Sequence, residues 1–430
     1  MSPTNRNPAD LIRIAALLLG LLLTAGLAFL VYALSPEAME PVPPQPRAAF
    51  SQLAVERGQR VALIGNCVSC HTATGGAPYA GGYGVDTPFG TIYGTNITPD
   101  AETGIGTWSL EAFTRAMREG IGAKGEHLYP AFPYDHFTKL SDGDVAALYA
   151  FLMTREPVRR TTPENDLPAI LRFRPLLAGW KLLAFREGRF EPDPALSEPL
   201  DYGRYLVEGA GHCGACHTPR NLIQAEKSDE ALRGGLSAGW SAPAIAGAIE
   251  VTAPWTQGAL ETYLRDGFDR DHGAAAGPMQ PVGAHLARTP MEDASAISAY
   301  LLSLLQQSER APLALRTDTK PDTMPGAALF AGACASCHSG SPASASQGLP
   351  LEKSGATHAE SARNLVQFIL HGRQLPPGAA GVAMPGFARL LTRQQVADLA
   401  TYIRARYSNE PPFQQLDATV NELADRAGLP

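Results

Sequence analysis

Cys67-Val-Ser-Cys70-His71, Cys213-Gly-Ala-Cys216-His217 and Cys334-Ala-Ser-Cys337-His338 use all six cysteines of a 430-residue chain. Two thiols three residues apart, with a histidine directly after the second, form the attachment signature of a c-type haem. The thiols add to the two porphyrin vinyl groups, and the imidazole becomes the proximal ligand of the iron. A zinc site needs thiols in fours or histidines at finger spacing, and a thioredoxin-like pair needs no histidine after it. Cysteines so close in sequence staple no distant loops. The expected cofactors are therefore three covalently attached haem c groups, on Cys67 and Cys70, Cys213 and Cys216, and Cys334 and Cys337, with His71, His217 and His338 on iron.

Reading outward from each word gives one order of elements three times over. Each word ends a short helical segment: residues 58–65, 203–211 and 326–332. Each repeat closes with an apolar-striped helix carrying an aromatic at one equivalent place, over residues 145–151, 295–300 and 396–402. Such spacing marks a face buried against a neighbour, so the predicted unit is a small all-α cytochrome c domain with its terminal helices crossed. Between them a third helix stops at Gly120, Gly267 or Gly372, with Ser109 and Thr256 as expected N-caps of the first two.

Twelve residues after Gly267 stands Met279, and twelve after Gly372 stands Met384, each beside proline. Loop methionines of this kind are expected as the sixth ligands of the second and third irons, a pairing that raises the potential. Twelve residues after Gly120 stands Phe132 instead. Three outcomes stay open for the first iron: an imidazole from His136, with His127 behind it; a methionine, Met153 or Met117; or no sixth protein ligand. His136, four residues past Phe132, is the residue assigned. His212, His272, His285, His358 and His371 are read as packing, capping or surface residues.

The balance of 35 basic against 42 acidic side chains carries no basic block, so nucleic acid is not an expected partner. Glycine at 42 and proline at 36 fit small, loop-rich domains wrapped around a large apolar cofactor. No phosphate loop, nucleotide fingerprint or Ser/His/Asp set is present, so no catalytic residue is assigned. From Ile14 to Leu34 run 21 uncharged residues, about 31 Å as a helix and enough for one bilayer core. A cleaved signal peptide is the rival reading, to which Tyr32-Ala-Leu-Ser35 offers a weak site. Arg6 and Arg13 precede the segment while Glu37 and Glu40 follow it. This predicts a single-pass inner-membrane protein of a bacterium, amino terminus in the cytoplasm and haem domains in the periplasm.

The fold class is then all-α: an N-terminal transmembrane helix followed by three tandem cytochrome c domains. The expected boundaries are a membrane anchor at 1–35, a proline-rich stalk at 36–49, domain 1 at 50–155, a linker at 156–200 and domain 2 at 201–305. A second linker at 306–325, domain 3 at 326–408 and a polar tail at 409–430 complete the chain. The apolar-basic stretch 171–185 within the first linker is read as a bridge or partner contact in preference to a membrane-surface segment.

Over residues 50–407 the chain resembles the tri-haem cytochrome c subunits of bacterial membrane-bound dehydrogenases. The resemblance is carried by Thr87-Pro-Phe-Gly-Thr-Ile-Tyr-Gly-Thr-Asn-Ile-Thr-Pro99, Leu128-Tyr-Pro-Ala-Phe-Pro-Tyr134, Gly209-Ala-Gly-His-Cys-Gly-Ala-Cys-His-Thr-Pro-Arg-Asn221 and the three haem words. It implies a chain that is not an enzyme on its own. Such a chain accepts electrons from a dehydrogenase catalytic subunit, with a small iron–sulfur or chaperone-like subunit as a further partner, and passes them to ubiquinone or a terminal oxidase. The alcohol dehydrogenase cytochromes typically read Pro-Ala-Met-Pro-Tyr where this chain has Pro-Ala-Phe-Pro-Tyr. That departure, with Asp135-His136-Phe137, favours a molybdenum-type aldehyde or N-heterocycle dehydrogenase as partner. The alternatives are a quinoprotein alcohol or flavin-linked polyol dehydrogenase, and a gas- or peroxide-reactive haem protein built on an open first iron.

Overall fold

Glycine decides where the helices stop and where they cross. The computed structural model describes residues 8–251, 253–309, 321–338, 348–374 and 383–429; Arg6 and most of the linker at 306–325 lie outside them. A helix leading to a haem word, a middle helix and a closing helix recur at Gln52–Ile64, Leu110–Glu119 and Asp142–Met153, at Glu198–Tyr205, Gln257–Asp266 and Met291–Leu304, and at Pro325–Ala333, Arg363–His371 and Arg393–Tyr407. Ser109 and Thr256 cap the first two middle helices by accepting from the Ala112 and Ala259 amides. Gly120 and Gly267 end them in the left-handed region that a Cβ disfavours.

Each leading helix crosses its closing helix at a glycine. A Cβ on Gly58, Gly203 or Gly326 would lie 1.9, 2.0 or 2.3 Å from the carbonyl oxygen of Ala147, Ala296 or Asp398, and under 3 Å from the Cβ of Phe151, Tyr300 or Tyr402. The predicted aromatics thus sit at the crossings as core residues. Gly203→Ala is expected to destabilise the holoprotein by about 1–3 kcal/mol or more, because two backbones must separate to admit one methyl group. A denaturation midpoint equal to wild type would refute the crossing.

The chain forms two compact units, Met1–Gly58 with Cys70–Phe190, and Gln59–Ser69 with Glu191–Pro430. The expectation of a purely helical fold is corrected by four two-stranded sheets among the described residues. Gly84–Thr87 pairs antiparallel with Gly90–Tyr93, Gly235–Ser237 with Trp240–Ala242, and Phe268–Asp269 with Gly273–Ala274; Gly247–Val251 runs parallel to Leu305–Glu309. The strands are too short to carry a legible alternation, and they brace the loops between helices.

Three boundaries also change. The stalk at 36–49 is bonded along the first unit: Met39 and Val42 donate to the Ala123 and Thr107 carbonyls, and Arg115 to the Glu37 carbonyl. Much of the linker at 156–200 packs into that unit as well. Asp166 bridges Thr91, and Asn165 accepts from the Tyr93 amide. Lys181 donates to the carbonyls of Glu119 and Gly120, answering the orphan acceptors at a helix end. Burial pushes its ammonium down to about 8. The tail at 409–430 contains the helix Leu416–Ala427, whose Val420, Leu423 and Ala424 join the core built on Val366, Leu399 and Ala400. Its apolar residues fall four or fewer apart among acids and an arginine, which masks a buried stripe as a polar tail.

The helix Pro8–Leu34 contains a 26-residue stretch, Ala9–Leu34, long and apolar enough to cross a membrane by length and composition. Its carboxyl end packs within the first unit: Ala33 is buried and its carbonyl accepts from His127 Nε2 at 3.0 Å.

Candidate haem sites

Cysteine pairs at i and i+3 on one helical turn point their sulfurs to one side. The turns are Cys67–Cys70, Gly214–His217 and Ala335–His338, and in the second and third the histidine amide donates to the carbonyl of the first cysteine. A Cβ on Gly94, Gly235 or Gly348 would fall 1.8, 2.4 or 2.3 Å from the carbonyl of Cys70, Cys216 or Cys337. The return loop therefore closes directly on each word.

The same loops fix the histidines. His71 Nδ1 lies 2.6 Å from the Thr95 carbonyl, His217 Nδ1 2.7 Å from that of Pro243, and His338 Nδ1 2.9 Å from that of Leu349. A carbonyl only accepts, so Nδ1 carries the proton and Nε2 keeps its lone pair, the tautomer and orientation a metal-bound imidazole needs. Burial lowers the pKa of His71 and His217 against the pull of those hydrogen bonds, favouring the neutral ring. The residues present fit a covalent haem with a proximal Nε2 ligand at all three words. Sequence reading missed Thr95, Pro243 and Leu349 because a backbone acceptor has no side-chain signature; in the first and third repeats the glycine just before it, Gly94 or Gly348, is the only trace.

On the candidate distal side the three slots differ. Ile121 pairs with His127, Phe268 with Ala274, and Arg373 with Met384. Met279 and Phe132 each stand five residues past the strand partner, Ala274 or His127, whereas Met384 is itself the partner. The common offset of twelve thus places Phe132 and Met279 alike and Met384 otherwise. Met279 opens the helix Met279–Leu286, and both methionines are half-buried. Phe132 packs against Tyr134 and Phe137, with ring centroids 6.3 and 5.5 Å away. His136 is buried on the turn Tyr134–Phe137, four residues from Phe132. Met117 and Met153 are core residues, 4% and 2% exposed. His127 is buried and tied to Ala33; burial and nearby Lys181 lower its pKa, and its Nδ1 has no hydrogen-bond partner among the described residues.

The remaining histidines are structural, and two join the first word to the second. His212 Nε2 meets the Gly65 carbonyl at 3.1 Å, and His285 Nδ1 meets Asn66 Oδ1 at 2.7 Å. Beside them Asp293, fully buried, receives Arg60 Nε at 2.8 Å and the Tyr202 hydroxyl at 2.9 Å, while Arg60 also donates to Tyr202. The helix leading to the second word loosens into a π turn at Leu206–Ala210, and the carbonyl of Ala210 lies 3.3 Å from a Cβ built on Gly65. Second and third repeats are joined by Arg373, whose guanidinium donates to the Asp266, Gly267 and Ala275 carbonyls, and by Trp240 edge-on to Phe368 at 5.5 Å. His272 stacks on Trp255 at 3.6 Å and pairs with Asp269; His358 Nε2 bonds the Glu352 carbonyl.

A family model described as cytochrome c matches residues 55–156, and one described as cytochrome c oxidase, cbb3-type, subunit III matches residues 321–403. The chain is 45% identical over 397 residues to a subunit of the nicotinate dehydrogenase of Pseudomonas putida, an alignment covering 91% of this chain and 33% of that protein, so it spans about a third of that relative. It is 38% identical over 386 residues to the gluconate 2-dehydrogenase cytochrome c subunit of Pantoea cypripedii, covering 83% of this chain and 86% of the relative. With the cytochrome c subunit of the quinone-dependent alcohol dehydrogenase of Gluconacetobacter polyoxogenes it shares 36% identity over 396 residues, 86% of this chain and 84% of that one.

Proposed function

This chain belongs to the family of cytochrome c subunits of bacterial dehydrogenases, and on that premise we propose that it is a membrane-anchored tri-haem relay. It takes electrons from a dehydrogenase catalytic subunit and delivers them to ubiquinone or the respiratory chain. Attached haem supplies reversible one-electron exchange. The chain's own part is to orient His71, His217 and His338 through backbone carbonyls, to supply Met279 and Met384 to the second and third irons, and to hold successive words at fixed spacing. The 45% identity to a nicotinate dehydrogenase subunit favours a molybdenum-type N-heterocycle or aldehyde dehydrogenase as partner over an alcohol or polyol enzyme.

The observation that carries a relay is the junction of the first two words. The path Cys67–Asn66–Gly65 C=O···Nε2 His212–Cys213 consists of covalent bonds and one hydrogen bond of 3.1 Å. The proposed order is linear, first, second, third, and Arg373 with the Trp240–Phe368 pair braces the second step. The purified chain is expected to turn over no alcohol, aldehyde or N-heterocycle by itself and to become fully reduced by substrate only with its catalytic subunit present. Substrate-driven reduction of the chain alone, followed at the haem absorption bands, would refute the relay.

A further inference from the structure

The apolar helix Pro8–Leu34 has a neighbour in the first unit. The helix Leu176–Ala184 packs on it, and a Cβ on Gly179 would lie 3.4 Å from the Phe29 ring. Ala178 and Lys181 turn inward and are buried. Leu176, Gly179 and Leu183 share one face at i, i+3 and i+7, so the stripe that meets Phe29 continues onto exposed side chains. Leu176 is 39% exposed, Leu182 54% and Leu183 74%, and just before them Ile170 and Phe173 are 66% and 50% exposed. The cations of this stretch do not explain the exposure, since Arg172 donates to the Leu167 carbonyl, and Arg174 to that of His127 while lying over the Tyr129 ring.

Depth decides what covers these residues. The 26 residues of the span make about 39 Å of helix against a hydrocarbon core of about 30 Å. Phe29 lies five residues before the end of that helix at Leu34, about 8 Å along its axis. With the uncharged stretch from Ile14 to Leu34 filling that core, a helix docked at the level of Phe29 reaches about 8 Å below its outer boundary, within the roughly 5–10 Å to which interfacial helices bury an apolar face. We propose that residues 169–185 form a membrane foot, with Ile170, Phe173, Leu182 and Leu183 in the outer leaflet beside the anchor. The inference rests on the reading of Pro8–Leu34 as a membrane span. It assigns to lipid a segment that sequence reading alone assigns to a bridge or a partner.

The test uses the full-length holoprotein in phosphatidylethanolamine/phosphatidylglycerol vesicles. The natural cysteines carry thioethers on the haem reading, so a fluorophore goes to the single new thiol of Leu183→Cys, Leu22→Cys in the span, or Leu222→Cys on the second unit, which is 96% exposed. Nitroxide-labelled lipids are expected to quench the Leu183 probe several-fold more than the Leu222 probe, most strongly with the nitroxide high on the acyl chain, and the Leu22 probe most strongly with it deep. Iodide in the aqueous phase should quench only at Leu222. Iodide quenching at Leu183 equal to that at Leu222 overturns the foot and leaves the anchor standing. Shielding of Leu183 from both quenchers also overturns it, assigning the face to a protein surface. A Leu22 probe untouched by lipid nitroxides removes the anchor and the foot together.

Discussion

Replacing Asp293 with alanine is expected to destabilise the second unit by about 3 kcal/mol and to slow electron exchange between the first and second haems without shifting their midpoints. The carboxylate is fully buried between Arg60 and Tyr202. Removing one partner of a buried pair costs about 3–5 kcal/mol, since the remaining charge stays desolvated. The Arg60 side chain is 36% exposed, and the water it sees brings the cost to the lower end of that range. Arg60 lies on the helix leading to Cys67, while Tyr202 and Asp293 lie on the helices that frame Cys213, so the clamp ties the approach to Cys67 to the surroundings of Cys213. Asp293→Asn, which keeps an oxygen acceptor for Tyr202 and Arg60 but removes the carboxylate's charge, should fall between alanine and wild type. The measurements are the denaturant midpoint of the holoprotein and the rate of redox re-equilibration after photoreduction. An unchanged rate in a destabilised Asp293→Ala variant would show that the clamp is structural only.

The second large effect is expected at the first iron. His136 is the proposed sixth ligand, and His136→Ala should give a reduced protein that binds carbon monoxide at one haem, where the wild type resists it. His136 lies on the turn Tyr134–Phe137, four residues past Phe132, and Phe132 occupies the place that Met279 holds in the next repeat. Adding Phe132→Met to His136→Ala is expected to abolish carbon monoxide binding again. It should also leave the first haem at a higher midpoint than wild type, within the roughly 0.8 V that axial ligands span, because a methionine sulfur raises the potential above that of two imidazoles. Wild-type protein that already binds carbon monoxide at one haem would remove His136 from the iron. A double variant that still binds it would show that position 132 does not face the metal.

The haem words, the crossing aromatics, the capping residues and the helix-stopping glycines were all legible in the sequence, because each depends on a side chain, or the lack of one, at a fixed spacing. What was illegible depends on the backbone or on distance. The carbonyls of Thr95, Pro243 and Leu349 orient the three histidines with no residue-type preference to betray them. The junctions Arg60–Asp293 and Gly65–His212 join positions far apart in the chain, which periodicity cannot pair. The proline run at 36–49 reads as a free stalk because proline donates no hydrogen bond, yet Met39 and Val42, standing among those prolines, donate theirs to the first unit. The matching offsets of Met279 and Met384 suggested two equivalent slots, but Met384 bridges Arg373 directly whereas Met279 stands five residues past Ala274, the strand partner of Phe268, so equal spacing is not equal position.

The segment Gln59–Ser69 belongs to the unit completed by Glu191 onward. On the reading of Pro8–Leu34 as a membrane span, the residues after it cross in chain order, so Gly65 and Asn66 cross before their partners His212 and His285. On the haem reading, attachment at the first word is then expected to precede the locking of Asn66 by His285 and of Gly65 by His212. Biogenesis acquires a direction: a first word left without its porphyrin is a defect that the later half of the chain inherits as it folds.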